Sequence, residues 1–150
     1  MKSNLNNLVI SILLLTFLYS CSPKTYTYYF NKCEELKKES EELKESNILK
    51  SDKKLTQAYN IYSKGILEFP NEHKFYYLRG KLSIDLDSLE RAENDFSEAI
   101  SISPATGFYF YYRGNIRFEL SNKKGACEDW NRAAELGETS TYSKIRMYCR

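Results

Sequence analysis

YYLRG at residues 76–80 and FYYRG at residues 110–114 decide the fold, because the second stretch repeats the pattern of the first 34 positions later. The same shift pairs alanines and large rings further along the chain: Ala92 with Ala126, Phe96 with Trp130, and Ala99 with Ala133. A shift of 34 in the other direction reaches a third segment, residues 39–72, whose matching positions hold Ala58, Tyr62, Gly65 and Pro70. One offset that serves three segments without a gap indicates an internal repeat of supersecondary structure.

The spacing of small and large residues inside each repeat predicts two closely packed helices. Gly80 and Gly114 stand inside helical stretches, where glycine costs about 1 kcal/mol relative to alanine. We therefore expect a second helix to approach at these positions without space for a Cβ. Phe96 and Trp130 each lie four residues after an alanine and three before another, on one helix face. The predicted helices run near 32–50, 54–68, 73–86, 89–102, 107–120, 123–136 and 140–149.

This pattern resembles the tetratricopeptide repeat (TPR) family, whose unit has an aromatic at position 4, Gly at 8, Ala at 20, a large ring at 24, Ala at 27 and Pro at 32. Residues 73–106 match all six positions, and residues 107–140 match five, with Glu138 in place of proline. The family usually has Leu at position 7, where this chain has Arg79 and Arg113. The resemblance implies an all-α fold, an antiparallel helix-pair (TPR) solenoid of about three repeats with a C-terminal capping helix.

The first repeat, residues 39–72, is degenerate, because Glu42 and Ser46 occupy the signature positions of its first helix. Residues 31–54 hold seven basic and seven acidic residues and only a narrow apolar stripe. This composition predicts a solvated helix that caps the solenoid, although a coiled-coil contact with a partner would show the same pattern. At the other end, residues 141–150 form the predicted cap, and their apolar stripe consists of Tyr142, Ile145 and Cys149.

The N-terminal residues predict a signal peptide. The apolar run from Leu8 to Leu18 is shorter than the roughly 20 residues that a membrane-spanning helix needs. It leads into the sequence LYSC at 18–21, which resembles the bacterial lipobox. The resemblance implies cleavage before Cys21 and lipidation of its thiol, whereas the alternative is an ordinary signal followed by an incidental cysteine. The expected domains are a lipoprotein signal peptide at 1–20, a lipidated tether at 21–31 and a TPR-like helical domain at 32–150.

The residues after Cys21 also bear on localisation. Ser22 stands where an Asp signals inner-membrane retention in enterobacterial lipoproteins, so it resembles outer-membrane routing. The stretch 22–25 lacks the acidic residues of a surface-export tag. We therefore expect a lipid-anchored protein of the bacterial cell envelope, on the outer membrane and facing the periplasm.

Residues for chemistry beyond binding are scarce. The net charge of +2 lacks the basic excess that nucleic-acid binding needs. The lone His73 has no Cys or Ser nucleophile near it in sequence and is predicted to be an exposed turn residue. We expect no catalytic residue, no cofactor and no metal site, because no phosphate loop or metal-ligand spacing is present.

Three cysteines besides Cys21 remain in the chain. Cys127 lies on the second helix of the last repeat and Cys149 on the terminal helix that is predicted to pack against it. A disulfide between them and two buried free thiols both fit this placement. Cys33, near the tether, is either free or joins a second copy of the chain.

In TPR proteins the first helices of the repeats line a concave surface, so the resemblance implies a binding groove. Its positions in this chain hold rings, an amide and ammonium groups: Lys74, Tyr77, Lys81, Phe108, Tyr111, Asn115 and Phe118. The alternative is that the rings fill gaps between helices. Lys81 and Asn115 are only a fragment of the carboxylate clamp of chaperone-binding TPR domains. The expected function is a non-enzymatic, lipid-anchored scaffold that binds a protein or peptide, and the alternative is a structural lipoprotein that self-associates.

Overall fold

The computed structural model describes residues 24–149, and these residues form seven α-helices without a β-strand. The helices are α1 (Tyr26–Leu43), α2 (Ile48–Glu68), α3 (His73–Asp85), α4 (Leu89–Ile102), α5 (Gly107–Glu119), α6 (Lys123–Glu135) and, after a 3₁₀ turn at Thr139–Thr141, α7 (Tyr142–Tyr148). Consecutive helices pack as antiparallel pairs, α1 with α2, α3 with α4 and α5 with α6, and α7 lies against α6. The predicted all-α solenoid of helix pairs is confirmed.

The segment that carries the predicted signal peptide and lipobox, including Cys21, lies outside the described residues. Between residues 24 and 149, no helix combines the length and the apolar character that a membrane crossing requires.

Helices α3 to α6 begin at the residues that the repeat predicts and end within one residue of the predicted positions. A Cβ built on Gly80 would lie 3.1 Å from the ring of Phe96, and one built on Gly114 would lie 2.7 Å from the indole of Trp130. Both rings are fully buried. The expected close approach at the two glycines is confirmed, because the ring of the second helix occupies the volume that a side chain would need.

The turns inside the second and third pairs each contain one left-handed residue. Asp87 has a φ of 55° and Ser121 a φ of 65°. The amide of Ser88 then donates to the carbonyl of Ser83 at 2.8 Å, and the corresponding bond of the third pair measures 2.7 Å. This closure of the helix end normally uses glycine at the left-handed position. The turn geometry therefore repeats along the solenoid even though the residue types differ.

The first pair departs from the gap-free repeat, and the predicted helix bounds there are wrong. Helix α1 begins at Tyr26, inside the predicted tether, and ends at Leu43 instead of residue 50. Cys33, not Ser46, takes the place of the repeat glycine: its Sγ donates to the carbonyl of Ala58 at 3.4 Å, and Ala58 is the counterpart of the alanines in the later repeats. The first helix of this repeat is thus displaced by 13 residues.

The displacement is accommodated by a longer helix pair. Helix α2 starts about two turns earlier than the repeat predicts, and the added turns pair with the end of α1. Ser40 and Ser51, both buried, hydrogen-bond there through their hydroxyl oxygens at 2.8 Å. Helix α1 buries Tyr29, Cys33 and Leu36. It therefore packs as the first helix of the solenoid through a stripe that starts at Tyr29, before the segment from which the cap is predicted, while most of residues 31–54 are exposed to solvent.

At the C-terminus, α7 packs against the side of α6 around Trp130, as the predicted cap requires. Tyr148 lies 4.5 Å from Phe118 and 6.0 Å from Trp130, measured between ring centroids. Tyr142 and Met147 are exposed. Of the predicted stripe, Ile145 and Cys149 are half-buried, whereas Tyr142 is exposed, since the face that packs is centred on Tyr148.

Cys127 and Cys149 form a disulfide, with 5.5 Å between their Cα atoms. It joins α6 to the residue that ends α7. Cys33 is a buried free thiol, and burial raises its pKa to about 12. A thiol with this pKa stays protonated at neutral pH, so Cys33 acts as a small apolar residue of the core.

Candidate binding groove

The first helices of the three pairs enclose an apolar groove of about 550 Å³. Its lining is contributed by the first two turns of α1, α3 and α5 and by the residue before α5: Tyr26, Phe30, His73, Lys74, Tyr77, Leu78, Thr106, Phe108 and Tyr109. Six of these nine side chains are aromatic rings, counting the imidazole. The volume and the apolar lining are typical of a site that receives a side chain or a short chain segment.

The groove continues into a second cavity of about 280 Å³, which shares Tyr77 and Phe108 with the first and adds residues of α5 and of the segment before α7: Tyr111, Tyr112, Glu138 and Ser140. Tyr77 stands between the two cavities. Its ring centroid lies 5.1 Å from that of Phe108 and 5.6 Å from that of Tyr112. Phe108 is 38% exposed, so the shared wall of the two cavities has a ring that is open to solvent.

Four of the predicted groove residues, Lys74, Tyr77, Phe108 and Tyr111, line these cavities. Lys81 lies beside them, with its Nζ 5.8 Å and 5.9 Å from the ring centroids of Tyr77 and Tyr112. Within residues 24–149, neither Lys74 nor Lys81 takes part in a salt bridge. The rings of the groove therefore have two ammonium groups at their border that carry no carboxylate partner.

Asn115 and Phe118 line neither cavity, contrary to the prediction. The Oδ1 of Asn115 accepts a hydrogen bond from the indole Nε1 of Trp130 at 3.0 Å. The ring of Phe118 lies 5.5 Å from that of Trp130 and 4.5 Å from that of Tyr148. Both side chains are held in the contact of α5 with α6 and α7.

Sequence reasoning missed the contribution of α1 and of His73. Tyr26 and Phe30 were assigned to the tether, although their spacing of four residues places them on one helix face. His73, predicted to be exposed, is half-buried and its Nδ1 lies 2.5 Å from the hydroxyl oxygen of Tyr109. Burial raises the pKa of Tyr109 to about 12, so this hydroxyl keeps its proton across the physiological range.

A second missed feature is a ladder of buried ion pairs beside the groove helices. Arg79 binds the carboxylate of Asp95 through Nε and Nη2, at 3.0 and 2.6 Å, and donates from Nη1 to the hydroxyl of Ser63 at 3.1 Å. The unit recurs 34 residues later: Arg113 binds Asp129, at 2.9 and 2.7 Å, and Ser97, at 3.2 Å. The recurrence of Arg, Asp and Ser at the repeat spacing was the signal in the sequence.

The ladder explains why arginine stands where the family usually has leucine. Each arginine joins the second helix of its own pair to the second helix of the pair before it. Both aspartates are 3% exposed, and burial raises the pKa of Asp95 while the guanidinium of Arg79 lowers it. A position that is apolar in the family is thus filled by a buried, hydrogen-bonded ion pair, and the helix can pack as the family's does.

No group of His, Cys, Asp or Glu side chains within residues 24–149 is arranged to hold a metal ion. No protein-family model matches the chain, and no curated protein sequence matches it.

Solved structures share the fold. The first TPR domain of Spaghetti (RPAP3) bound to the HSP90 peptide SRMEEVD superposes with a TM-score of 0.61 at 21% identity, over 79% of this chain and 91% of that one. MamA gives 0.68 at 17% identity, over 81% of this chain and 61% of that one. The TPR domain of Arabidopsis OM64 gives 0.58 at 21% identity, over 80% and 98%. The described residues therefore have the TPR fold.

Proposed function

We propose that the protein is a non-enzymatic scaffold, lipid-anchored in the bacterial cell envelope, that binds a protein or peptide segment along the concave surface of α1, α3 and α5. The observation that carries the proposal is the groove of about 550 Å³ between these helices. Aromatic residues are enriched at the centres of protein interfaces, because they bury a large apolar area and, in Tyr and Trp, also carry a hydrogen-bonding group.

The composition of the groove indicates what the segment carries. The rings and Leu78 suit one large apolar side chain. Lys74 and Lys81, which form no salt bridge within residues 24–149, suit carboxylates on either side of it. The Spaghetti domain holds an acidic peptide, which supports a peptide as the ligand class. Lys81 and Asn115 are only a fragment of the polar clamp of chaperone-binding domains, and the Oδ1 of Asn115 is bonded to Trp130. We therefore assign the larger share of the binding energy to the apolar side chain.

The anchor is proposed from the lipobox that ends at Cys21. Several acyl chains hold a protein firmly in a bilayer, because each buried methylene contributes about 0.8 kcal/mol. The Cys127–Cys149 disulfide supports a location outside the cytosol, where disulfides persist. We place the protein on the outer membrane, with the repeats facing the periplasm.

Groove substitutions test the proposal. The full-length protein, captured from detergent-solubilised envelope extract, should retain a partner that mass spectrometry identifies, and Tyr111→Ala and Lys81→Glu should each abolish its capture. Leu49→Ala and Lys53→Glu are matched controls, because both residues are exposed and lie outside the groove. If the groove variants change only the oligomer size in sedimentation, the structural, self-associating function is correct instead.

A further inference from the structure

The groove lies at one edge of the solenoid. Its lining residues belong to the beginnings of α1, α3 and α5, which come together because the helices between them run in the opposite direction. The end of α2 reaches the same place, since the hydroxyl of Tyr29 donates to a carboxylate oxygen of Glu68 at 2.5 Å. We name this the starting edge: the first turns of α1, α3 and α5 with the last turn of α2. The far edge contains the turn at residues 44–47, between α1 and α2.

Large apolar side chains are exposed on the starting edge, as they are after the turn at the far edge, where Ile48 is 64% and Leu49 is 79% exposed. Tyr28 is 44% exposed, Leu67 is 83% exposed and Phe108 is 38% exposed. The ammonium group of Lys24 lies 4.8 Å from the ring centroid of Tyr28. Tyrosine with lysine beside it is the combination that favours a membrane interface, where the ring enters the boundary of the acyl chains and the charge meets the headgroups.

The chain length between the lipobox and α1 decides between the edges. Tyr26 is the fifth residue after Cys21, and five steps of a fully extended chain span at most about 18 Å. Helix α1, with 18 residues, is about 27 Å long, so its other end lies beyond the reach of the tether alone. A lipid on Cys21 therefore holds the starting edge near the bilayer, while the far edge has no such restraint.

We propose that the starting edge docks on the surface of the bilayer in which Cys21 is anchored, with Tyr28, Leu67 and Phe108 in contact with the lipid interface. This inference rests on the lipid anchor of the proposed function and adds an orientation to it. The helices then stand away from the membrane, and the groove opens at the depth of the headgroups. Its partner is accordingly a segment that lies at the membrane surface, such as the part of another envelope protein next to its own anchor.

Fluorescence quenching by lipid tests the orientation. The full chain, processed in a bacterial host, is reconstituted into vesicles of phosphatidylethanolamine and phosphatidylglycerol whose acyl chains carry bromine near the carbonyl groups. We expect the added fluorescence of Tyr28→Trp to fall roughly twofold in these vesicles relative to unbrominated ones, since an interfacial indole lies at that depth. Leu49→Trp at the far edge is the control and should lose none. The native Trp130 is fully buried and common to both variants.

The outcomes separate the two proposals. Equal quenching of the two probes in protein that floats with the vesicles, when Cys21→Ser does not float, overturns the docking and leaves the anchor intact. Flotation that is absent, or the same for Cys21→Ser, removes the lipid anchor and with it the docking. Stronger quenching at position 28 than at position 49, with flotation that depends on Cys21, supports both.

Discussion

Gly114 and Trp130 occupy one volume between α5 and α6, and the balance of two effects there can be measured. Replacing a helical glycine by alanine normally gains about 1 kcal/mol of helix propensity. At Gly114, however, the new Cβ would lie 2.7 Å from the indole and 3.2 Å from the carbonyl oxygen of Ala126. The indole cannot move away, because it is fully buried and bonded to Asn115. Overpacking of this kind costs about 1–3 kcal/mol, so the clash prevails.

We therefore predict that Gly114→Ala destabilises the protein by up to about 2 kcal/mol, the overpacking cost less the gain in propensity. Gly80→Ala is the matched control. Its Cβ would lie 3.1 Å from the ring of Phe96 and 3.2 Å from the Cβ of Asp95, so its effect should be near zero. Denaturant titration of both variants measures the difference. Equal midpoints would show that the third pair adjusts as easily as the second.

Among the helices, the ion-pair ladder is the contact that binds successive pairs together. Arg79→Leu would restore the residue that the family usually has, but it would leave the carboxylate of Asp95 buried at 3% exposure without its partner. Removing one member of a buried pair costs about 3–5 kcal/mol, whereas replacing both members by apolar residues is often neutral. We predict that Arg79→Leu lowers the free energy of unfolding by about 3–5 kcal/mol. The double variant Arg79→Leu/Asp95→Leu should be more stable than Arg79→Leu and close to the wild type.

Denaturant titration measures the stability of these two variants, and Arg132→Leu is the control, because it removes an arginine from an exposed ion pair. Arg132 pairs with Glu135 at 2.8 Å on the surface of α6, where such pairs contribute about 0.2–1 kcal/mol. A double variant that is less stable than Arg79→Leu alone would mean that Ser63 and the packing around the guanidinium, not the charge pair, hold this contact.

The same scale shows what the sequence could predict. Helices α3 to α6 were located from the repeat alone, because each small or large residue recurs at a fixed spacing and each contact is local to a pair. The predicted bounds of α1 are wrong for two reasons. The first pair is longer by about two turns, which a gap-free repeat alignment does not allow, and Cys33 stands where the later repeats have the glycine that marks the first helix. The prediction of the groove is incomplete for the same reason. The repeat alignment locates Lys74, Tyr77 and Phe108 correctly, whereas Tyr26 and Phe30 could be located only with the correct bounds of α1.

For the molecule as a whole, the stability of each helix pair depends on the adjacent pairs, since each pair of a solenoid contacts only its neighbours. At the C-terminal end, α7 is held on the solenoid by few contacts. Helix α7 has seven residues, none of them fully buried, and a helix of that length is not stable alone. Its attachments include the packing of Tyr148, the Lys144 ammonium 5.4 Å from the ring centroid of Trp130, and the disulfide from Cys149 to Cys127. Release of α7 would expose Phe118 and Trp130, which it covers.

The disulfide should therefore protect α7 much more than it protects the rest of the chain. We predict that the double variant Cys127→Ser/Cys149→Ser has a free energy of unfolding about 3 kcal/mol lower than the wild type, as the chain-entropy model gives for a loop of this size. The amides of α7 should then exchange with solvent at nearly the rate of an unfolded segment, while those of α3 and α4 keep their protection. Hydrogen exchange measured by mass spectrometry resolves these segments.

Cys33→Ser is the control for the loss of a cysteine, because it changes a buried residue at the opposite end of the solenoid and leaves the disulfide in place. It should increase exchange in α1 and α2 and leave α7 protected. Protection of α7 that persists in the double serine variant would show that Tyr148 alone holds the helix on the surface formed by Phe118 and Trp130. In that case Tyr148→Ala, with the disulfide intact, should release α7 instead.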